Sequence, residues 1–538
     1  MDCRKSIGCK ENYIIVCIGQ IELQEGGRFM EKFLSIPVSR RDFMKLATLS
    51  AAGMFMGKTL SPGKAEAAGG SFDFTGADLP VICEVDTCVA GGGSAGTAAA
   101  INAGKNGAKT LLIEKGISLG GLATQGCVYP CMPTFAYGSD TPYITELNRR
   151  MEVQGIAPLL GIETKGTYGG GGGVYVPDCL TWVYDEWCEE AGVTILYEAS
   201  VVGAIVENGA ITACVVQTAE GLGKIKAKTF IDATGDALLA RMAGVPSEKG
   251  SETTGRNQPM SLRFEMSGID VQKAHRYFHE TLKDTWMDDG FHRKFAEDVK
   301  KGRTPFLEFA KSKQVEPLFK EAVKKGELTE DDILYIQAFS IVGKPHTMSM
   351  NCPEMPPLSF SATDAMSRSQ AVTFGRKMTR RLAAFFKAHI PGFEGAYISR
   401  EAGMVGVRES WRIRGKYYME ADDYFNARKF PDAVCRTAYP IDIHDVKLDL
   451  AKKLSKGEYY EIPFRALVAD KVSNLLVVGR CASGSFAAQA SFRIQPTCMS
   501  MGEAAGIAAA WGLKNNIPMA DIRWEDIPED KRSYVSGK

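Results

Sequence analysis

The pattern of apolar and polar positions changes character twice along the chain. "CEVDTCVA" (83–90) is short, apolar and followed by glycines, the pattern of a strand buried on both faces. "SAGTAAAINAGKNG" (94–107) predicts a helix of small residues ended by glycine, and "AKTLLIEK" (108–115) a second buried strand. Strand, helix and strand in that order make the start of a βαβ unit. "CLTWVYDEWCEEAG" (179–192) has helical spacing and a glycine stop. Residues 193–218 predict three strands with a hairpin turn at Asn208-Gly209, and "KAKTFIDATGD" (226–236) a further strand that runs into a turn. From about residue 250 to 460 charged helices, loops and prolines take over, which marks an inserted domain. Strand character returns at "YYEIPFRALVADKVSNLLVVGRCASGS", and "PTCMSMGEAAGIAAAWGL" predicts a long helix of small residues.

The opening segment follows another logic. In "SRRDFMK", Arg40 and Arg41 are followed by Phe43 and Lys45, a twin-arginine pattern. The apolar run behind it, "LATLSAAGMFMG", has about twelve residues against the ~20 a membrane-spanning helix needs, so it suits a signal segment. Ala65-Glu66-Ala67 then offers the small–x–small pattern of a signal-peptidase site. An ordinary amphipathic helix with two surface arginines would account for the arginines alone, not for the whole ordered series. Residues 30–68 are therefore expected to be a twin-arginine signal peptide. Residues 1–29 fit such a signal poorly, and Met30 opens a natural charged region, so translation is expected to start at Met30 and 1–29 to be a mis-assigned upstream start.

Composition narrows the classes. The 538 residues, 45% hydrophobic and 24% charged, allow two or three domains with a large core. Lys+Arg and Asp+Glu balance at 64 each, so no global positive field favours nucleic acid or anionic lipid. The 14 cysteines include neither a C-x-x-C pair nor a Cys/His cluster with zinc spacing, which argues against a metal site and for buried free thiols. The five-glycine run in "GTYGGGGGVYVPD" (166–178) is either a surface loop or one that closes over a ligand.

Gly91, Gly93 and Gly96 form G-x-G-x-x-G between the first strand and helix. The first glycine permits the turn, the second lets a pyrophosphate approach the backbone, and the third lets helix and sheet pack closely. Phosphates would meet the helix N–H groups around Ser94 and Ala95. Glu114 ends the second strand roughly 20 residues on, where a carboxylate would bind ribose hydroxyls, with Lys115 beside it. On these residues alone the dinucleotide is NAD or FAD.

Further segments discriminate. "EKGISLGGLATQG" places Gly120-Gly121 after the acidic residue; "FIDATGDALLA" ends a later strand in Ala-Thr-Gly-Asp; "NLLVVGRCASG" precedes the C-terminal helix. Together they resemble the flavoproteins with two dinucleotide-binding domains. "PGFEGAYISREAGMVGVRESWRIRGKYYMEADDY", "YPIDIHD", "YYEIPFRALV" and "GRCASGSFAAQASFRIQPTCMSMGEAAGIAAA" narrow the likeness to the bacterial FAD-dependent oxidoreductases, which are distantly similar to the fumarate reductase and succinate dehydrogenase flavoproteins. The resemblance spans nearly all of 80–515.

It implies an α/β fold: a discontinuous, glutathione-reductase-like Rossmann domain for FAD (80–250 and 460–525) with an inserted α+β substrate or cap domain (251–459). It implies cofactor contacts at Gly121, Val201, Ala233, Gly235, Asp236, Gly479, Arg480 and Met501, and a late helix aimed at the flavin ring. The chain departs from the family's relatives in three ways. A second G-x-G-x-x-G is not visible, Cys127 and Cys131 stand at C-x3-C spacing, and Trp411 occupies a position where relatives tend to have arginine.

Catalytic candidates follow from residue chemistry. Arg408 and Arg412, four apart, would share a face on a helix and hold an anionic or polyol substrate, or else pair with Glu409 and nearby acids. His444 in "YPIDIHD" is the best general-base candidate, with His346 behind it. Arg480 and Arg493 flank the flavin end. The expectation is an exported FAD-dependent oxidoreductase moving a hydride between a small organic substrate and flavin N5. Electrons would pass to or from a quinone- or cytochrome-type carrier. The alternatives are a flavin protein without a redox role and an NAD-dependent dehydrogenase. Export by the twin-arginine translocase fits this cofactor, because FAD binding needs a folded domain and that route carries folded cargo.

Overall fold

The computed structural model describes residues 13–23, 29–39, 74, 78–129, 131–134, 136, 141–153, 175–341, 343–444 and 454–537. Contacts divide the chain into two units, Met1–Gly70 and Ser71–Lys538. In the first, Tyr13–Leu23 pairs antiparallel with Phe29–Ser39. The twin arginines, the apolar run after them, the A-x-A tripeptide and the five glycines lie outside the described residues.

The second unit is built on a seven-stranded sheet. Its strands in chain order are β1 (Val81–Ala90), β2 (Thr110–Ile113), β3 (Val193–Leu196), β4 (Ser200–Glu207), β5 (Ala210–Thr218) and β6 (Gly221–Asp232). Spatially they run β3-β2-β1-β6-β5-β4, and the strand Leu475–Val477 joins β6 from far along the chain. The β3-β2-β1-β6 half is parallel and the β6-β5-β4 half antiparallel. The β4–β5 hairpin turns at Asn208 and Gly209, both at positive φ (51° and 74°), the geometry an Asn-Gly pair adopts readily.

The parallel half is apolar on both sides, so it carries two cores. Val89, Leu112 and Ile231 face one; Cys88, Leu111, Ile113 and Phe230 face the other. Helix α1 (Ser94–Lys105) covers the first face and is crossed by α3 (Gln495–Asn515). Small residues let these helices touch. A Cβ on Gly502 would stand 2.0 Å from the carbonyl oxygen of Ala95, and one on Gly506 would stand 2.2 Å from that of Ala99. The low amphipathicity of both sequences has this cause: each helix is buried nearly all round.

Residues 264–401 hold a five-stranded antiparallel sheet: β7 (Phe264–Ser267), β8 (Glu308–Ala310), β9 (Gln337–Ser340), β10 (Thr347–Met350) and β11 (Tyr397–Glu401). Phe264 and Met266 on β7, with Met348 and Met350 on β10, face a separate core shared with Leu382, Phe385 and Phe386 of helix α2 (Ala365–His389). Period-two alternation sends Arg263, Glu265 and Ser349 to the opposite, polar face. Trp411–Ile413 pairs with Ser247–Lys249, and Ala433–Thr437 with Tyr460–Pro463. Among the described residues no helix is long and apolar enough to cross a membrane. Cys83, Cys88, Cys127, Cys131, Cys179 and six further cysteines of the second unit are free thiols.

Candidate active site

The turn from β1 into α1 opens a cavity that runs across the C-terminal ends of the parallel strands. Its three glycines answer to different neighbours. Gly91 has φ +98° and a Cβ there would stand 2.7 Å from the carbonyl oxygen of Ala233; on Gly96 it would stand 1.8 Å from that of Gly91. Both are demanded by the protein's own backbone. At Gly93 a Cβ would meet nothing within 4 Å. Nothing in the fold requires glycine there, so the space it leaves is a cradle for a bound group. Gly93 is also the N-cap of α1 and no side chain caps it, which leaves the first helical N–H groups free for phosphate oxygens.

Glu114 forms the next wall. Its Oε2 accepts from the Gly92 N–H and its Oε1 from the Gly116 N–H, both at 2.8 Å. The carboxylate thus fixes two turns and keeps further lone pairs for hydroxyl donors. The Ala-Thr-Gly-Asp turn is pinned by Asp232, which accepts from the Thr234 and Ala240 N–H groups at 2.9 Å each. Asp236 follows, held by Arg480 at 2.8 Å and Arg368 at 3.0 Å. Burial alone would raise its carboxyl, but the two guanidinium groups outweigh burial and hold it well below the usual carboxylate range.

Of the residues expected at the cofactor, Gly91, Gly93, Ser94, Ala95, Glu114, Lys115, Gly121, Val201, Ala233, Gly235, Asp236, Gly479 and Arg480 line this cavity. Gly96 lies beneath the turn, and Met501 is buried inside α3; neither lines it. Sequence reasoning passed over Thr234, Met404, Gln495 and Cys498, which do. Gln495 and Cys498 occupy the uncapped first turn of α3, a position readable only once the helix start is known.

Arg493, also on the cavity wall, leads to a charged cluster. Its Nη2 donates to Asp442 at 2.9 Å. His444 stands between two carboxylates, with Nδ1 2.8 Å from Glu354 and Nε2 3.4 Å from Asp442. Arg408 meets Glu354 at 2.9 Å and donates to the Ser261 hydroxyl at 2.7 Å. Burial would raise both carboxyls; for Glu354 it is outweighed by Arg408 and His444, and for Asp442 by His444 and Arg493. Tyr335 packs against the His444 ring at 5.4 Å.

Two expectations change. Arg408 and Arg412 do not share a helical face, because residues 408–410 are irregular and Arg412 lies on a strand. Arg412 is fully buried, paired with Glu409 and bonded to the carbonyls of Gly484 (2.9 Å) and Gly250 (3.1 Å). Its charge is consumed by the fold. His346 sits in an exposed turn, its Nδ1 3.1 Å from the Ile269 carbonyl oxygen. Trp411 does not line the cavity but stacks with Arg241 at 3.8 Å.

The family model described as FAD dependent oxidoreductase matches residues 86–530. No curated protein matches the chain. Among solved structures the chain is similar to a geranylgeranyl bacteriochlorophyll reductase-like protein from Thermoplasma acidophilum (15% identity, 84% of each chain covered, TM-score 0.40). It is also similar to p-nitrophenol 4-monooxygenase from Pseudomonas putida (10% identity, 82% of this chain and 83% of that one, TM-score 0.42). A third is L-proline dehydrogenase from P. horikoshii (13% identity, 83% and 97%, TM-score 0.38).

Proposed function

The chain belongs to the FAD-dependent oxidoreductase family, and on that premise we propose that it moves a hydride between a small organic substrate and FAD bound at the Gly93 cradle. The observation that carries this reading is continuity. Arg493 borders the cavity and, through Asp442, the cluster around His444, so a substrate placed there would adjoin the cofactor. The bound FAD supplies the two-electron acceptor or donor. The chain's residues supply binding and proton transfer.

Glu354, close to Nδ1, holds His444 in place by charge. The contact of Nε2 with Asp442 is looser, and a substrate hydroxyl can replace it, giving His444 the proton that accompanies hydride loss. In the reverse direction the same nitrogen returns it. Arg408, held beside His444 by Glu354, orients the substrate. The electron partner is a quinone- or cytochrome-type carrier, since one dinucleotide fingerprint is visible in the sequence. The opening residues make the protein a twin-arginine export substrate that acts outside the cytoplasm.

An anaerobic screen of candidate substrates, followed by the flavin's visible absorption, tests the redox reading. Bleaching by one compound class and recovery with a quinone or cytochrome is expected. A flavin that no substrate or carrier ever changes would sink it. N-terminal sequencing of secreted protein tests export, with a start soon after Ala67 expected.

A further inference from the structure

We propose that Arg263 and Arg408 together form a carboxylate clamp, so that the substrate of this enzyme is an organic acid. The proposal rests on the reading of the His444 cluster as the substrate site.

Arg263 precedes β7 on the sheet's polar face and is half-buried. Its Nη1 makes only long contacts, to the carbonyl oxygens of Cys127 at 3.4 Å and Tyr129 at 3.3 Å. Among the described residues no carboxylate lies within 4.0 Å of its guanidinium, the limit for an ion pair. The nearest acid on its own strand face, Glu265, is taken by Lys344 and the Tyr129 hydroxyl. Burial and the like charge of Arg408 pull its pKa down to about 10, which leaves it charged at neutral pH.

Arg408 donates to the hydroxyl of Ser261, two residues before Arg263, and both guanidinium groups act on Tyr335, whose ring lies against His444. Arg408 and Arg493 already match the two carboxylates, Glu354 and Asp442, so Arg263 adds a cation in excess before His444 is counted. A buried guanidinium without a counter-ion is costly, and its planar fork matches a carboxylate bidentately. Arg412 shows the contrast: fully buried, it is met by Glu409. Arg263 keeps a charge that no described carboxylate pairs with, on the side of the sheet where the His444 cluster gathers.

The test uses FAD-loaded protein at constant ionic strength. Aliphatic mono- and dicarboxylates and benzoate are titrated against their amides, with sulfate as a separate arm. The readout is the visible flavin spectrum. Saturable shifts with at least one acid and none with its amide are expected. R263Q should weaken that binding by ~30-fold or more (about 2 kcal/mol) while keeping its FAD, and R263K should retain part of it. Amides binding as well as acids, no acid shifting the spectrum, sulfate binding where carboxylates do not, or wild-type affinity in R263Q would each overturn the proposal. If R263Q does not fold, R263K and the acid-against-amide comparison decide. Failure of the underlying redox reading shows differently, as protein whose flavin no substrate or carrier ever changes.

Discussion

Gly93 and Gly96 stand three residues apart in one motif, yet substitution should separate them. Gly93→Ala places a methyl group where no protein atom lies within 4 Å, so the apoprotein should melt within ~1 °C of wild type. Its FAD content after purification should fall severalfold. Gly96→Ala puts that methyl 1.8 Å from a carbonyl oxygen, so stability itself should drop by ~2 kcal/mol or more. Flavin absorbance per protein, beside thermal melts of both apoproteins, checks the pair; equal melting losses would contradict it. Arg412 makes a second residue-scale case. Arg412→Met strands the Glu409 carboxylate in the interior, which should cost about 3–5 kcal/mol in denaturant unfolding, with no selective effect on substrate KM. A KM effect without loss of stability would return Arg412 to the substrate site.

At the scale of elements, α1 and α3 are paired by what they lack. Ala, Gly and Ser along "SAGTAAAINAGK" and "MSMGEAAGIAAAWG" were legible as helix but not as partners, since small residues carry no pattern that points to a particular neighbour. The crossing brings the start of the phosphate-facing helix against the middle of a helix about 400 residues later. Gly506→Leu should drive side-chain carbon into the backbone of α1 at Ala99 and Ala103. A loss of more than ~3 kcal/mol and flavin-free protein are expected, read by chemical unfolding and absorbance. Retention of both would mean the helices can part without consequence. The five-stranded sheet was legible to a lesser degree. "RFEMS" alternates cleanly, but β7 has four residues and its partners come from 350 and 401, so the run looked like loop among charged helices.

For the whole molecule, stability follows pH through a few buried groups of opposite sign. Asp236 and Asp442 have folded pKa values below their unfolded ones, so their contribution is complete above about pH 4 and is lost as pH falls further. His275, lowered to about 4 by burial and by His292 and His279, also removes stability as pH falls below 6.5. Glu503 on α3 runs the other way. Burial raises it from 4.5 to about 7, so ionising it costs stability that grows between those pH values, to roughly 3 kcal/mol above pH 7. Glu503→Gln keeps an acceptor for the Tyr143 N–H. Its melting temperature should equal wild type near pH 4 and exceed it by a growing margin up to pH 8. A difference that does not change with pH would show that Glu503 does not titrate in this range.

By itself the sequence determined what is local. The glycine fingerprint, the acidic strand end at Glu114 and the Ala-Thr-Gly-Asp turn each span a few residues, and their chemistry follows from backbone geometry that neighbours along the chain impose. Tertiary structure alone decided which charges are spent and which remain. Arg408 and Arg412 look equivalent in "GVRESWRI", but one meets Glu354 beside His444 and the other is neutralised by Glu409. Arg263, unmarked in the sequence, has no counter-ion among the described residues because its strand neighbour Glu265 is claimed by Lys344. A guanidinium's role depends on the charge balance within a few ångströms, and the fold brings those partners together from residues about 50 to 90 positions apart.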